Sequence, residues 1–248
     1  MIASAWTIAR RELASFFFSP IAYGIATIVL FLNGVFFYIY LTHEQIDGDL
    51  RQAIPLLYGG FLFYWFLALL VPPLLTMRLF AEEKRSGTIE MLMTAPVTDV
   101  SVVLGKYLAV VGYYLALWLP TLLYSLLLRS LGGDPDLGLV AAGLLATLLS
   151  GALFLAIGLF TSACTSNQVL AAAAGLVLNL VLFFLPLLAT LAIRPATKDL
   201  LERYSIYEIF LSGFLTGLVD TAHVVYFLSL AGFFLFLTVR VVEARKWK

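Results

Sequence analysis

Charge is scarce in this sequence. Of its 248 residues only 12% are Asp, Glu, Lys or Arg, about half the share of roughly 25% found in soluble domains, while 62% are hydrophobic. That shortage excludes an ordinary soluble globular protein. Cysteine is nearly missing, and the single Cys164 excludes an intramolecular disulfide and a thiolate-cluster metal site. A basic excess is missing too: 15 Lys and Arg balance 15 Asp and Glu, whereas a nucleic-acid binder needs surplus cations to displace counterions from phosphates. Of the two histidines, His43 precedes Glu44 without the His-Glu-x-x-His spacing of a zinc site, and His223 has no carboxylate at i+4. Neither lies mid-span, which disfavours an intramembrane Ser–His hydrolase. No Gly-x-x-x-x-Gly-Lys-Ser/Thr occurs, and the one Gly-Lys pair, Gly105 and Lys106, lacks both the upstream glycine and the following hydroxyl. The chain therefore offers no nucleotide site of its own, and no catalytic, cofactor or metal residues are expected.

What is abundant is apolar sequence long enough to cross a bilayer. A helix needs about 20 apolar residues to span a hydrocarbon core of about 30 Å, where every backbone polar group must be satisfied internally. Six stretches qualify: Ile21 to Leu41, Leu56 to Met77, Tyr107 to Leu128, Leu137 to Cys164, Val169 to Ile193 and Ala222 to Val239, none with an Asp, Glu, Lys or Arg. Only Thr165 to Gln168 separates the fourth from the fifth. A single helix over 57 residues would be about 85 Å long, so these two fold back as a hairpin.

Orientation follows from the basic residues. With both termini in the cytoplasm, that side carries Arg10, Arg11, Arg78, Lys84, Arg85, Lys106, Arg240, Arg245, Lys246 and Lys248, against Arg51, Arg129, Arg194, Lys198 and Arg203 outside. A cleaved signal peptide is the competing reading of the N-terminus, but its apolar core would be shorter, about 7 to 15 residues, and would end in small residues. Here the run ends in Tyr38-Ile39-Tyr40-Leu41, as a retained span does.

Three segments outside the spans carry information. In residues 1–20 a helical stripe of Trp6, Ala9, Leu13, Phe16 and Phe17 opposes Thr7, Arg11, Glu12 and Ser15, the pattern of an amphipathic helix at the inner interface before Pro20 starts the first span. Residues 78–106 form the one substantial cytosolic segment. Helix formers run from Arg78 to Arg85, Gly87 breaks them, Thr88 can cap a second short helix with Glu90 in its first turn, and Pro96 stops it. Thr98 or Asp99 can cap the helix that continues into span three. Exposed Ile89, Leu92 and Met93 favour a docking knob over a solvated connector. In residues 204–217, Ser205 and Glu208 form a capping box that opens an apolar helix through Leu215, with Gly217 placed to end it. A dozen residues cannot span, so this helix lies in the outer interface, re-enters the membrane, or plugs the bundle's outer end.

Within the spans there is no Asp, Glu, Lys or Arg, and no histidine mid-span, which removes the usual ion-coupling chemistry of carriers. Asn33 and Asn179 read as interhelical hydrogen-bond partners. Pro72-Pro73, Pro120 and Pro186 can kink their spans. The small residues Gly143, Thr147, Gly151, Gly158 and Ser162 let span four approach a neighbour, with the alanine run Ala171 to Ala174 of span five as the expected one. Tyr64, Trp65 and Trp118 lie too deep for an interfacial belt; they are either core or, with Asn33 and Asn179, the lining of a pathway.

The segment Ala81-Glu82-Glu83-Lys84-Arg85-Ser86-Gly87-Thr88-Ile89-Glu90-Met91-Leu92-Met93-Thr94-Ala95-Pro96-Val97 resembles the signature of ABC-2 type permeases. Thr161 to Gln168 is similar to the family's Ser-x-x-x-x-Asn-Gln turn between spans four and five. Phe214 to Trp247, with Gly217, Asp220, Val225-Tyr226-Phe227 and the closing Glu243-Ala244-Arg245-Lys246-Trp247, resembles the gliding-motility-type and nitrous-oxide-maturation-type branch. The resemblance implies one all-α transmembrane domain over residues 1–248: an N-terminal amphipathic elbow helix (1–20), spans one and two (21–77), a cytosolic coupling segment (78–106), spans three to five (107–193), an outer segment with a short re-entrant or interfacial helix (194–221), and span six with a cytosolic tail (222–248).

It implies the permease subunit of an ATP-driven transporter, expected to be an exporter, in the cell inner membrane. A separate cytosolic ATPase dimer docks on the coupling helix and a second permease subunit completes the pathway, in some relatives beside an auxiliary membrane-anchored protein with an outer-side domain. Carried onto these residues, Glu82, Glu83, Lys84 and Arg85 supply polar contacts, Gly87 the turn and Ile89 to Met93, with Leu92, the apolar contact, and Thr88, Glu90 and Pro96 complete the coupling set. The rival readings are a non-transporting scaffold of a gliding or surface-assembly machine and, with less support, a secondary carrier, which would show intramembrane polar groups or repeated halves.

Overall fold

The computed structural model describes residues 2–47, 56–88, 97–185 and 204–244. Among the described residues the regular structure is helical throughout, without strands. Five helices are long and apolar enough to cross a membrane, and two shorter apolar ones accompany them. The expected fifth span is a 16-residue helix, α7 (Gln168–Phe183); its expected end at Ile193, with Pro186, lies outside the described residues.

The centre of the bundle is α6 (Leu137–Cys164), which matches the fourth expected span end to end. Asp136 caps it by accepting from the Gly138 and Leu139 amides at 2.8 and 3.3 Å. Of its apolar stretch 72% is buried, against 22% for α2 (Pro20–Asp47) and 17% for α9 (Thr221–Glu243), so those two helices form the rim. Small residues explain how α6 holds the middle, because they let neighbours come close where no water drives packing. A Cβ placed on Gly143, Gly151 or Gly158 would lie 2.8 Å from Tyr58 Cβ, 2.1 Å from Tyr114 Cε1 and 2.1 Å from Thr76 Oγ1. These glycines therefore face spans two and three, and not the alanine run expected of them. Of that run only Ala171 is buried, its carbonyl accepting from Thr161 Oγ1 across the hairpin at 3.0 Å. Asn167 turns that hairpin by capping α7.

Span two begins later and ends later than expected. Its helix, α3, runs Leu62–Ser86, so Arg78 to Arg85 continue the span and do not form a separate helix. Leu56–Gly60 is a kinked π-turn in which Gly59 takes φ +123°, a conformation that favours glycine. The kink turns Tyr58 inward, where its hydroxyl meets Thr121 Oγ1 at 2.8 Å. Pro72 and Pro73 sit inside α3 without ending it. Span three is α4 (Asp99–Trp118) and α5 (Leu122–Ser130), joined by a 3-10 turn at Pro120. Thr98 caps α4 through the Ser101 amide.

The first helix, α1 (Ile2–Phe17), packs along α4 in the same direction. Ala5 abuts Gly105, Leu13 covers Gly112, and Phe16 stacks on Tyr113 with ring centroids 5.1 Å apart. Its packed face is Ala5, Ala9 and Phe16, rotated from the expected stripe: Trp6 is 67% and Phe17 44% exposed. The reason is backbone proximity. A Cβ on Gly105 would stand 2.8 Å from the Ala5 carbonyl, too close for Trp6 on that face. Near the last span, α8 (Ile206–Ser212) is capped by Ser205 but stops at Gly213, four residues before Gly217 ends a following 3-10 turn at φ +81°. Ile206, Ile209, Phe210 and Phe214 are buried, so this segment plugs the bundle and does not lie on its surface.

Candidate functional site

Basic residues cluster at the end of the bundle where α3 stops and α4 starts. There α1, α3 and α4 meet on one buried cation. Lys106, 1% exposed, places its ammonium 3.2 Å from Glu12 Oε1 of α1 and 2.7 Å from Glu83 Oε1 of α3. Its Nζ also lies 5.4 Å from the Phe80 ring centroid, within cation–π range. Burial by itself would raise the Glu12 carboxyl, but the Lys106 ammonium and the Arg11 guanidinium at 3.0 Å outweigh it and hold Glu12 below the usual carboxylate value. An isolated buried ammonium is costly, and two carboxylates with short contacts make it tolerable.

A second set of contacts ties the same end of α3 to α6. Ser162 Oγ accepts from the Phe80 and Ala81 amides at 3.1 and 3.2 Å and donates to the Met77 carbonyl at 2.9 Å. Lys84 Nζ donates to the Ala163 carbonyl. The last turns of span two are thus keyed on one side to α1 and α4 and on the other to α6. This end of α3 is in polar contact with α4 and α6 and, through Lys106, with α1.

The residues selected from the sequence divide accordingly. Glu82, Arg85, Ser86, Gly87 and Thr88 are exposed. Gly87 ends α3 in the left-handed conformation at φ +74° with open space around its Cβ direction. Thr88 Oγ1 meets Ser86 Oγ at 2.9 Å. Glu83 and Lys84 face inward and are engaged within the chain. Ile89, Glu90, Leu92, Met93 and Pro96 lie outside the described residues, as does the second short helix expected there.

The five residues considered for a pathway are all buried. Tyr64 donates to Thr147 Oγ1 and Trp65 to the Gly59 carbonyl, both at 2.9 Å. Around them Trp118, Phe183 and Phe210 close an aromatic core, with Phe210 and Phe183 each 4.7 Å from Trp65. Asn33 bonds back to its own helix at Val29 O, 2.9 Å away, and not to another helix as expected. Asn179, 0% exposed, has no hydrogen-bond partner for either amide atom among the described residues. Among the described residues these side chains lie in the interior of the bundle.

Sequence reading missed Glu12, Gly105 and Lys106 as a group. Glu12 was assigned to the solvent face of α1, yet it falls three residues after Ala9 and four before Phe16, on the packed stripe. The signal available was a lysine at the mouth of an apolar span with an acidic residue on the preceding amphipathic helix. Among known families, the model described as ABC-2 family transporter protein matches residues 48–205, more than half of the chain. No curated protein matches it.

Proposed function

Because this chain belongs to the ABC-2 transporter family, and is thereby the membrane component of an ATP-binding-cassette transporter, we propose that it couples a separate ATPase to transport through the exposed end of α3 and residues 89–98. The observation that carries this reading is the Lys106 junction. It holds Glu83, the chain neighbour of Glu82 in the last turns of α3, and joins α1, α3 and α4 through contacts of 2.7 and 3.2 Å. A push on the α3 turn would move these helices as one body, the rigid-element motion by which small displacements become two-state transitions.

In this reading the chain has six spans with both termini in the cytoplasm of a cell whose inner membrane it crosses, and the direction of transport is export. Two permease subunits pair over one ATPase dimer. The filled aromatic interior supports placing the pathway between the two subunits and not within one. A separate ATPase is proposed because residues 1–248 lack the glycine-rich backbone cradle that binds nucleotide phosphates. The scaffold alternative shares the docking but not the turnover.

The test is recovery of the complex. Affinity-tagged chain extracted from its own membranes in mild detergent should co-purify an ATP-binding-cassette ATPase and hydrolyse ATP, while the chain stripped of partners binds none. Recovery without any ATPase, or saturable ATP binding by the isolated chain, contradicts the reading.

A further inference from the structure

Beside the Lys106 junction, between α1 and α3, a cleft of about 280 Å³ opens. It is slightly smaller than the clefts of about 300 to 1,000 Å³ that take whole small molecules, and so has the size of a headgroup. We propose that this cleft binds the headgroup of a zwitterionic phospholipid carrying a primary ammonium, phosphatidylethanolamine.

Two groups in the cleft lack partners of opposite kinds. Glu83 uses Oε1 on Lys106, but its Oε2 is buried and accepts no hydrogen bond among the described residues. Arg78, on the same helix, makes no ion pair or hydrogen bond among the described residues; its guanidinium carbon lies 6.0 Å from the Phe16 ring centroid. Glu82 borders the same space. A buried carboxylate oxygen calls for an N–H donor, and a free guanidinium calls for an acceptor such as a phosphate.

Charge restricts the ligand further. Glu12, Glu82 and Glu83 face Arg78 and Lys106 in the cleft, and Arg11 pairs with Glu12 from outside it, which brings the total to zero. A net cation would meet Arg78 and a net anion the carboxylates, whereas a phosphate joined to an ammonium satisfies both. The apolar wall is supplied by Phe16 and Leu79. Arg78 directly follows the apolar run ending at Met77, where the hydrocarbon ends and phosphates lie. A partner protein's salt-bridged side chains are the rival occupant, but they would not need a site at that depth.

Native mass spectrometry of the full-length purified chain tests this. Phosphatidylethanolamine is compared with phosphatidylcholine and phosphatidylglycerol of the same acyl chains. The three N-methyl groups of choline remove every N–H donor, and glycerol has no cation, so retention should favour ethanolamine by about tenfold, the worth of one charge-assisted hydrogen bond. Glu83→Gln should remove that preference, whereas Arg78→Gln should weaken retention of all three lipids, since they share the phosphate, and Arg78→Lys restore part of it. Soluble glycerophosphoethanolamine should compete only at millimolar concentration; competition at micromolar concentration would make a free metabolite the occupant and overturn the lipid. Equal retention of the three lipids by the wild-type chain overturns the proposal whatever the variants do. Equal retention with loss of ATPase co-purification in Arg78→Gln also overturns it and assigns the cleft to a partner protein.

Discussion

At the scale of single residues, Lys106 decides the most. It is a cation removed from water at the meeting point of three helices, held by Glu12 and Glu83. Removing one partner of a buried ion pair costs about 3–5 kcal/mol, because the remaining charge is left uncompensated. Lys106→Met should therefore lower the thermal midpoint of the purified chain by several degrees, and adding Glu12→Gln and Glu83→Gln should return most of the loss. The triad also sets a pH dependence. The Glu12 carboxyl is held below its ordinary value of 4.5, so its contribution is fully present above that value and disappears as pH falls through the lowered one. The wild-type midpoint should fall on acidification below about pH 4.5 more steeply than that of the Lys106→Met, Glu12→Gln, Glu83→Gln variant. Parallel acid limbs would show that the contacts carry no linkage.

Whole elements show what the sequence made legible. The bounds of α6 follow from composition alone, because an uninterrupted apolar run between Asp136 and Thr165 has no other means of satisfying its backbone in a bilayer. The hairpin at Asn167, the cap at Thr98 and the stop at Gly87 are equally local, each resting on one side chain or one left-handed residue. Faces and partners are not local. The rotation of α1 depends on Gly105, ninety-odd residues away, and the small-residue stripe of α6 could not announce that Tyr58, Tyr114 and Thr76 would fill it. The start of α3 depends on Gly59, whose positive φ lets Phe210 pack on the backbone; a Cβ there would meet Phe210 Cδ1 at 2.7 Å. The aromatics of spans two and three were open to two readings because a pathway wall and a packed core have the same composition. Among the described residues Tyr64, Trp65 and Trp118 are buried, with Phe210 of α8 against the first two.

The packing of these elements makes its own prediction. Gly151→Ala would force Tyr114 from its place and Gly158→Ala would press on Thr76, whose hydroxyl is bonded to the Pro72 carbonyl at 2.8 Å. Overpacking of this kind costs about 1–3 kcal/mol. Gly232→Ala, where nothing lies within 4 Å of the added carbon, is the control. Thermal melts in detergent should order the three with Gly232→Ala near wild type and the other two well below it. Equal midpoints would mean that α6 does not pack this closely on spans two and three.

At the scale of the whole molecule the arrangement divides labour. On the proposed reading a tightly keyed interior carries motion, two rim helices with mostly uncovered apolar faces meet lipid or a second subunit, and the exposed turn at the basic end receives a partner. The central claim is that this turn receives the stroke of a separate ATPase. It is tested most directly by altering exposed groups at that turn, of which Glu82 also borders the cleft beside Lys106: Glu82→Lys, Arg85→Glu and Gly87→Val in one chain. The first two exchange the signs presented to a complementary surface; the third strains a left-handed turn by about 1–2 kcal/mol without touching a neighbour. The chain should still insert and melt near wild type, since the Lys106 and Ser162 contacts are intact. ATPase co-purification and ATP hydrolysis by the reconstituted complex, each normalised to the amount of chain in the membrane, should both fall by about tenfold or more, as expected when charge pairs at an interface become repulsive. Unchanged co-purification and hydrolysis would contradict the account and leave the α3 turn a connector.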